Sequence, residues 1–499
     1  MESEKTGGQI MKDVKPVLKC FSTQTKEQEG VIPKEMFEGV VPIGIIDASD
    51  PKILYWDHHD VERFILSKII VGAPGSGKTT YLQLLTNRYA ALKQSVFVFD
   101  AVRQCEFTKE LEASLKPGTY EIWDFSKEDF YHRFSFSYQE FYRTFDEEDY
   151  IKRQVIASSI WRQIHRFLDV VKGDGAPLRV KTLRYLESVA QLVFVHRDQT
   201  LNDFIKVLFD YETRQSYLKR AELAPVKKDG GRLVSEEVLS WVKRLDRFDD
   251  MQGQWVTNES EIKDVLDRFK TFAADPRIQQ MFENPTTEAY DFEEAILNPK
   301  IIMVRIPQQR DVVTGESGYL EVHREMIMAF ITFKLWLVKE LLGCDLNEDE
   351  WVENSLGERV KRKDLYVTHL MFDEIHQFPQ FIEGLSGYLK EFRKFRLAPL
   401  LSCHGFTNLS KVVQREFAHL GAAYLCFSPT EVGTIDTLKS QLGEVDLSGV
   451  QDMERYQLAA YLPVGGSYVS VRAKTPGRLQ DFLALEKQLE IAKSSKSMK

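Results

Sequence analysis

One octapeptide constrains this chain more than any other feature. Gly72-Ala73-Pro74-Gly75-Ser76-Gly77-Lys78-Thr79 is a complete GxxxxGK[ST] loop, preceded by the apolar run Lys68-Ile69-Ile70-Val71 and followed by a helical pattern from about Lys78 to Leu92. A strand that turns into a helix through such a loop opens an α/β unit. The glycines let successive backbone N–H groups converge on one point, and the helix N-terminus adds partial positive charge, so the loop is built to cradle the phosphates of a nucleotide. Within it Lys78 neutralises β- and γ-oxygens, Thr79 offers a hydroxyl ligand to Mg²⁺, and Thr80 is placed to contact the α-phosphate. A glycine turn with an incidental Lys-Thr is the plain structural alternative, and the flanking strand and helix argue against it.

Hydrolysis at such a loop needs carboxylates delivered to the same end of a sheet. Val367-Thr368-His369-Leu370-Met371-Phe372-Asp373-Glu374 is an apolar strand that ends in two of them. Asp373 is placed to hold Mg²⁺ through its water shell, and Glu374 to orient and deprotonate the attacking water. An Asp-Glu after a strand is common by itself. Its weight comes from the loop upstream and from the lack of a competing apolar run that ends in Asp-Glu.

Along the chain, the expected order is a tail over residues 1–30, a first α/β part over 31–140, an all-helical insertion over 141–295, a second α/β part over 296–485 and a C-terminal tail over 486–499. Strands are expected at Val40 to Ile46, Ile53 to Trp56, Ser95 to Phe99 and Tyr120 to Trp123. The insertion is read from apolar residues at helical spacing, such as Ile151, Val155, Ile160, Ile164 and Phe167. Beyond it come Ile301 to Ile306, a long apolar helix from about Glu321 to Leu342, Leu365 to Phe372, a helix Phe381 to Phe395, further alternation, and a hairpin over Gln457 to Val471. Strands alternating with helices imply a mainly parallel sheet covered on both faces. The fold class expected is α/β, a RecA-like P-loop NTPase with a central mainly parallel sheet and an all-helical insertion domain.

A chain of 499 residues with 43% hydrophobic content has enough apolar side chain for a sizeable core. It has no apolar run of about 18 residues or more, so no intrinsic membrane span is expected. Five scattered cysteines in no CxxC arrangement indicate neither a disulfide framework nor a zinc site, and a cytoplasmic setting fits them. The net charge of −9 argues against a surface that is basic all over, yet not against basic residues gathered on one channel-facing surface. Two local clusters exist, Lys219, Arg220, Lys227, Lys228 and Arg232, and Arg359, Lys361, Arg362 and Lys363; solvated loops are the plain reading of both. His58 and His59 lack a third ligand at metal spacing. The pair is read as a loop, with stacking of Tyr55 and Trp56 beside it on the adenine base as the alternative.

Downstream of the Asp-Glu, Glu391-Phe392-Arg393-Lys394-Phe395-Arg396 precedes the strand Leu397 to Ser402, which ends at Cys403-His404. With these residues the chain resembles the FtsK/HerA class of hexameric DNA pumps, and within it the type IV secretion coupling proteins (TraG/TraD-like) and related conjugation-channel ATPases. Val96 to Asp100, the helical block, Phe269 to Phe282 and Lys300 to Pro307 extend the likeness over roughly Val40 to Pro476.

The resemblance implies an ATP-hydrolysing, Mg²⁺-dependent motor that moves DNA, assembles as a ring, and meets relaxase or secretion-channel proteins, in the cytoplasm or at the inner face of the membrane. It implies that Arg393 reaches the neighbouring subunit's nucleotide. His404 stands where the family usually has a γ-phosphate-sensing Gln. A structural His404, a solvated Arg393, and either a catalytic or a structural His376 are the plain alternatives. Two other functions fit the residues: a HerA-like or packaging-type duplex DNA pump, and a nucleotide-switched scaffold that moves no polymer. A GTPase is disfavoured because no Asn-Lys-x-Asp segment is present.

Overall fold

Strands covered on both faces bury every side chain, so they read as short unbroken apolar runs. The structure, a computed structural model, describes residues 32, 34–46, 52–56, 65–142, 146–170, 178–228, 230–273, 275–284, 290–309, 318–342, 351–353, 359–361, 367–427, 432–442, 450, 453–464, 467–475, 483–484 and 487. In chain order the strands are β1 (Val41–Ile46), β2 (Lys52–Trp56), β3 (Lys68–Val71), β4 (Ser95–Asp100), β5 (Tyr120–Asp124), β6 (Asp246–Asp249), β7 (Gln254–Thr257), β8 (Ile301–Arg305), β9 (Trp351–Glu353), β10 (Arg359–Lys361), β11 (Thr368–Phe372), β12 (Leu397–Cys403), β13 (Ala423–Phe427), β14 (Gln457–Val464) and β15 (Ser467–Lys474).

Eleven of them form one sheet in the order β2-β1-β15-β14-β13-β3-β12-β11-β4-β8-β5. From β13 to β5 every neighbour is parallel. β14, β15, β1 and β2 continue the sheet antiparallel. Registry fixes where the site lies. Val71 faces Cys403 on one side and Cys426 on the other, while Phe372 faces Leu401 and Phe99. The carboxyl ends of β3, β12, β11 and β4 therefore stand side by side.

Side chains alternate between two cores, as the pleat requires. Ile70, Val96, Val98, Met371 and Leu400 face the helices Lys78–Ala91 and Glu106–Ser114, and bury Tyr81, Leu85 and Leu111. Ile69, Val71, Phe97, Phe99, Leu370, Phe372 and Leu401 join the larger core on the other face. The helix Glu321–Leu341 lies in that core, buried along nearly its whole length, with the charged residues Arg324, Glu325, Lys334 and Lys339 buried among its apolar side chains. Its Phe330 packs on Phe136 and on Phe167 of the helical block, so the block shares this core with the sheet.

The block comprises the helices Tyr150–Val170, Val180–Phe194, Leu201–Phe209, Tyr211–Glu222, Glu236–Lys243, Lys263–Ala273, Pro276–Glu283 and Phe292–Leu297. Local chemistry starts several of them: Thr200 and Asp203 form a capping box, and Asp210 and Ser235 cap the next two. One hairpin, β6–β7, interrupts the helices, turning at Gly253 with φ 67°. Arg214, fully buried, holds its base through Asp246 (2.7 Å) and Thr257 (2.9 Å). The expected helix Phe381 to Phe395 is divided into Pro379–Ser386, Leu389–Phe392 and a 3₁₀ turn Arg393–Phe395, with the break at Gly387-Tyr388. Among the described residues no helix is long and apolar enough to cross a membrane.

Candidate phosphate-binding site

The loop between β3 and the helix Lys78–Ala91 needs its glycines. Gly75 at φ 76° and Gly77 at φ 110° lie in the left-handed region, where a side chain is strained. Gly72 is needed for space, since a Cβ there would stand 2.8 Å from Phe427 Cβ and 2.8 Å from Ser76 Oγ. Its amide donates to the Cys403 carbonyl (3.2 Å), which ties the loop to the end of β12. The Lys78 amine folds back on the loop, donating to the carbonyls of Gly72 (2.5 Å) and Ala73 (3.2 Å). Burial lowers its pKa, while the charges of Asp373 and Glu374 pull it up again. Ser76 Oγ is buried without a hydrogen-bond partner. A closed loop with a buried orphan hydroxyl and an ammonium held on its own carbonyls fits an anionic phosphate chain.

β11 delivers the acidic pair one strand away, across β12. Burial pushes the Asp373 carboxyl up, Glu374 adds to this, and Lys78 opposes it. Glu374 follows at φ 49°, and its amide donates to Asp373 Oδ1 (3.0 Å). Its carboxylate accepts from the Gln377 side-chain amide and meets His404 Nε2 at 3.1 Å. The rings of His376 and His404 lie 4.4 Å apart. The structure thus brings Gly72 to Thr80, Asp373, Glu374, His376 and His404 to one end of the sheet.

Arg393 is elsewhere. It is exposed, in the turn before β12, and that strand runs seven residues from Leu397 to Cys403. At roughly 3.3 Å per residue it stands about 20 Å or more from His404. Trp56 is buried against the P-loop helix, its indole N–H donating to the Tyr81 hydroxyl (3.4 Å), so it offers no open face. His58 and His59 lie outside the described residues, as do Arg362 and Lys363. In the other basic cluster Lys227 pairs with Glu148 (3.2 Å) and Arg232 with Glu236 (2.6 Å).

Two residues at this end of the sheet went unread as site residues. Asp100, the last residue of β4, is buried and accepts from the Thr108 amide (2.8 Å) and hydroxyl (3.0 Å). Burial pushes it up to about 7, with the charge of Asp373 adding to the rise. The apolar run that ends in Asp100 was its only sequence signal. Tyr456 donates its amide to the Ser76 carbonyl (3.1 Å), and no motif marks it.

No protein-family model and no curated protein matches the chain. Among solved structures, the plasmid coupling protein TrwB in complex with the non-hydrolysable ATP analogue ADPNP matches with a TM-score of 0.50 at 11% identity, covering 92% of this chain and 93% of that one. The fold is the RecA-like P-loop NTPase fold. VirB4 of Thermoanaerobacter pseudethanolicus matches with a TM-score of 0.45 at 14% identity, over 87% of this chain and 96% of that one. In a P-loop NTPase fold of this kind, ligands bind beyond the carboxyl ends of parallel strands, which is where the loop and the acidic pair converge.

Proposed function

We propose that the chain is an ATP-driven motor that translocates DNA, of the conjugative coupling kind, hydrolysing ATP between the subunits of a six-membered ring. The observation that carries the hydrolytic part is the Glu374–His404 contact at the end of two adjacent parallel strands, beside the loop that holds Lys78. The ATP analogue bound to TrwB supports ATP as the nucleotide.

In this reading the loop amides from Gly72 to Gly77 and the Lys78 ammonium bind the β- and γ-phosphates, and Thr80 meets the α-phosphate. The Thr79 hydroxyl and the Asp373 carboxylate form an all-oxygen donor set, which suits Mg²⁺. Bound there, Mg²⁺ supplies charge neutralisation at the phosphate oxygens. Glu374 takes a proton from the attacking water, and His404, through Nε2, holds the Glu374 carboxylate in place. Arg393, too far to serve its own site, serves the neighbour's. DNA is the polymer moved, relaxase or secretion-channel proteins are the partners, and the cytoplasm or the inner face of the membrane is the setting.

Steady-state hydrolysis tests the site. Lys78→Ala removes binding and turnover together, and Glu374→Gln removes turnover while ATP still binds. Hydrolysis at the wild-type rate in Glu374→Gln contradicts the assignment.

A further inference from the structure

Tyr456 holds φ 67°, a left-handed conformation, one residue before β14. Non-glycine residues persist there only when their surroundings hold them. Here the surroundings are the loop itself and the last strand. The Tyr456 amide donates to Ser76 O (3.1 Å), and its carbonyl accepts from the Thr475 amide (2.8 Å) and the Thr475 hydroxyl (3.3 Å). These bonds press the ring onto Gly77: a Cβ built there would stand 2.5 Å from Tyr456 Cδ1 and 3.1 Å from Cε1. A glycine at position 77 therefore does two things, since it also supplies the positive φ that the loop needs. The ring is only half-buried, and the exposed Arg455 places its guanidinium 4.7 Å from the ring centroid.

Gly77 immediately precedes Lys78, so the ring lies against the backbone of the phosphate cradle. A half-buried aromatic ring with a guanidinium over it supplies the two planar groups that stack on a nucleobase. We propose that Tyr456, with Arg455 at its side, is the nucleoside-binding element of this site, taking the base or ribose of a nucleotide whose phosphates occupy the loop. The inference rests on the ATP-site reading above and adds the half of the ligand which that reading leaves without a partner. Sequence alone hides the pair because β14 returns antiparallel beside β13 and carries the segment back to the loop from far along the chain.

The test is calorimetric binding of Mg²⁺–ATP and of Mg²⁺–tripolyphosphate to the full chain, wild type and variants. Tyr456→Ala is expected to weaken ATP about tenfold and to leave tripolyphosphate unchanged, since only the nucleoside loses a contact. Tyr456→Phe is expected to bind both as the wild type does. Tyr456→Leu keeps bulk against Gly77 and removes the stacking face, so it separates loss of stacking from collapse of the loop; it is expected to lose ATP affinity alone. Equal loss for both ligands, or no loss for either, overturns the proposal and leaves the phosphate site standing. A wild-type protein that binds neither ligand overturns the site reading itself, and this proposal with it.

Discussion

The backbone of Glu374 sits at φ 49°, which costs a non-glycine residue on the order of 1–3 kcal/mol. The conformation turns the chain sharply out of β11 into the 3₁₀ turn Ile375–Gln377 and leaves the carboxylate between Gln377 and His404. As the proposed general base it has a large predicted effect: Glu374→Gln lowers kcat by about 10²–10⁴-fold in a steady-state assay, with ATP affinity kept. In the proposed mechanism His404 acts through Glu374, so His404→Ala is expected to lower kcat by about tenfold with KM nearly unchanged, and His404→Gln, which keeps a donor, to recover part of it. A rise in KM alone would make His404 a binding residue instead. Lys78 and the Asp373-Glu374 pair were legible in the sequence because each depends on neighbours in the chain, a glycine loop in one case and an apolar strand in the other. Asp100 and Tyr456 were not, because strand pairing brings them to the loop from distant segments.

At the scale of elements, the helix Glu321–Leu341 joins the site end of the sheet to the helical block. Glu325 accepts from the amides of Gln380 (3.1 Å) and Phe381 (3.2 Å) at the start of the helix that follows the acidic pair. Further along, Lys334 meets Glu140 at 3.1 Å, both buried. Burial pushes the Glu325 carboxyl up to about 7, although the two amide bonds pull the other way. The folded protein therefore keeps a proton here that the unfolded chain releases above its ordinary carboxylate range. This contribution is present at low pH, is lost as pH rises toward 7, and amounts to on the order of 3 kcal/mol. Glu325→Gln should narrow the difference in thermal stability between pH 5 and pH 8, as measured by melting curves; an unchanged difference would place the proton linkage elsewhere. The alternating strands and helices were legible from their periodicity. The hairpin β6–β7 was not, since its residues are half-exposed and its four-residue strands are too short for a period to show. The break at Gly387-Tyr388 was also missed, because the apolar spacing runs on through it.

For the whole molecule, the position of Arg393 makes the proposed ring testable. It is exposed at the end of β12 opposite the P-loop, and in the proposed function it completes the site of a neighbouring subunit. Arg393→Ala alone and Lys78→Ala alone should both be inactive. An equimolar mixture should regain hydrolysis, because some interfaces then pair an intact loop with an intact arginine. No recovery in a mixture shown by sedimentation to assemble would remove Arg393 from the chemistry. Strand order, with β12 between β3 and β11, puts the loop and the acidic pair within reach of each other, and no linear pattern states that order.

The central claim is that hydrolysis at this site drives movement on DNA, and the most direct measurement is steady-state ATP hydrolysis with no DNA, with single-stranded DNA and with duplex DNA, at two salt concentrations. The account predicts strong stimulation by DNA that weakens at the higher salt, as phosphate contacts by basic side chains require. Turnover that DNA leaves unchanged across a range of protein concentrations would contradict it and point to a nucleotide-switched scaffold.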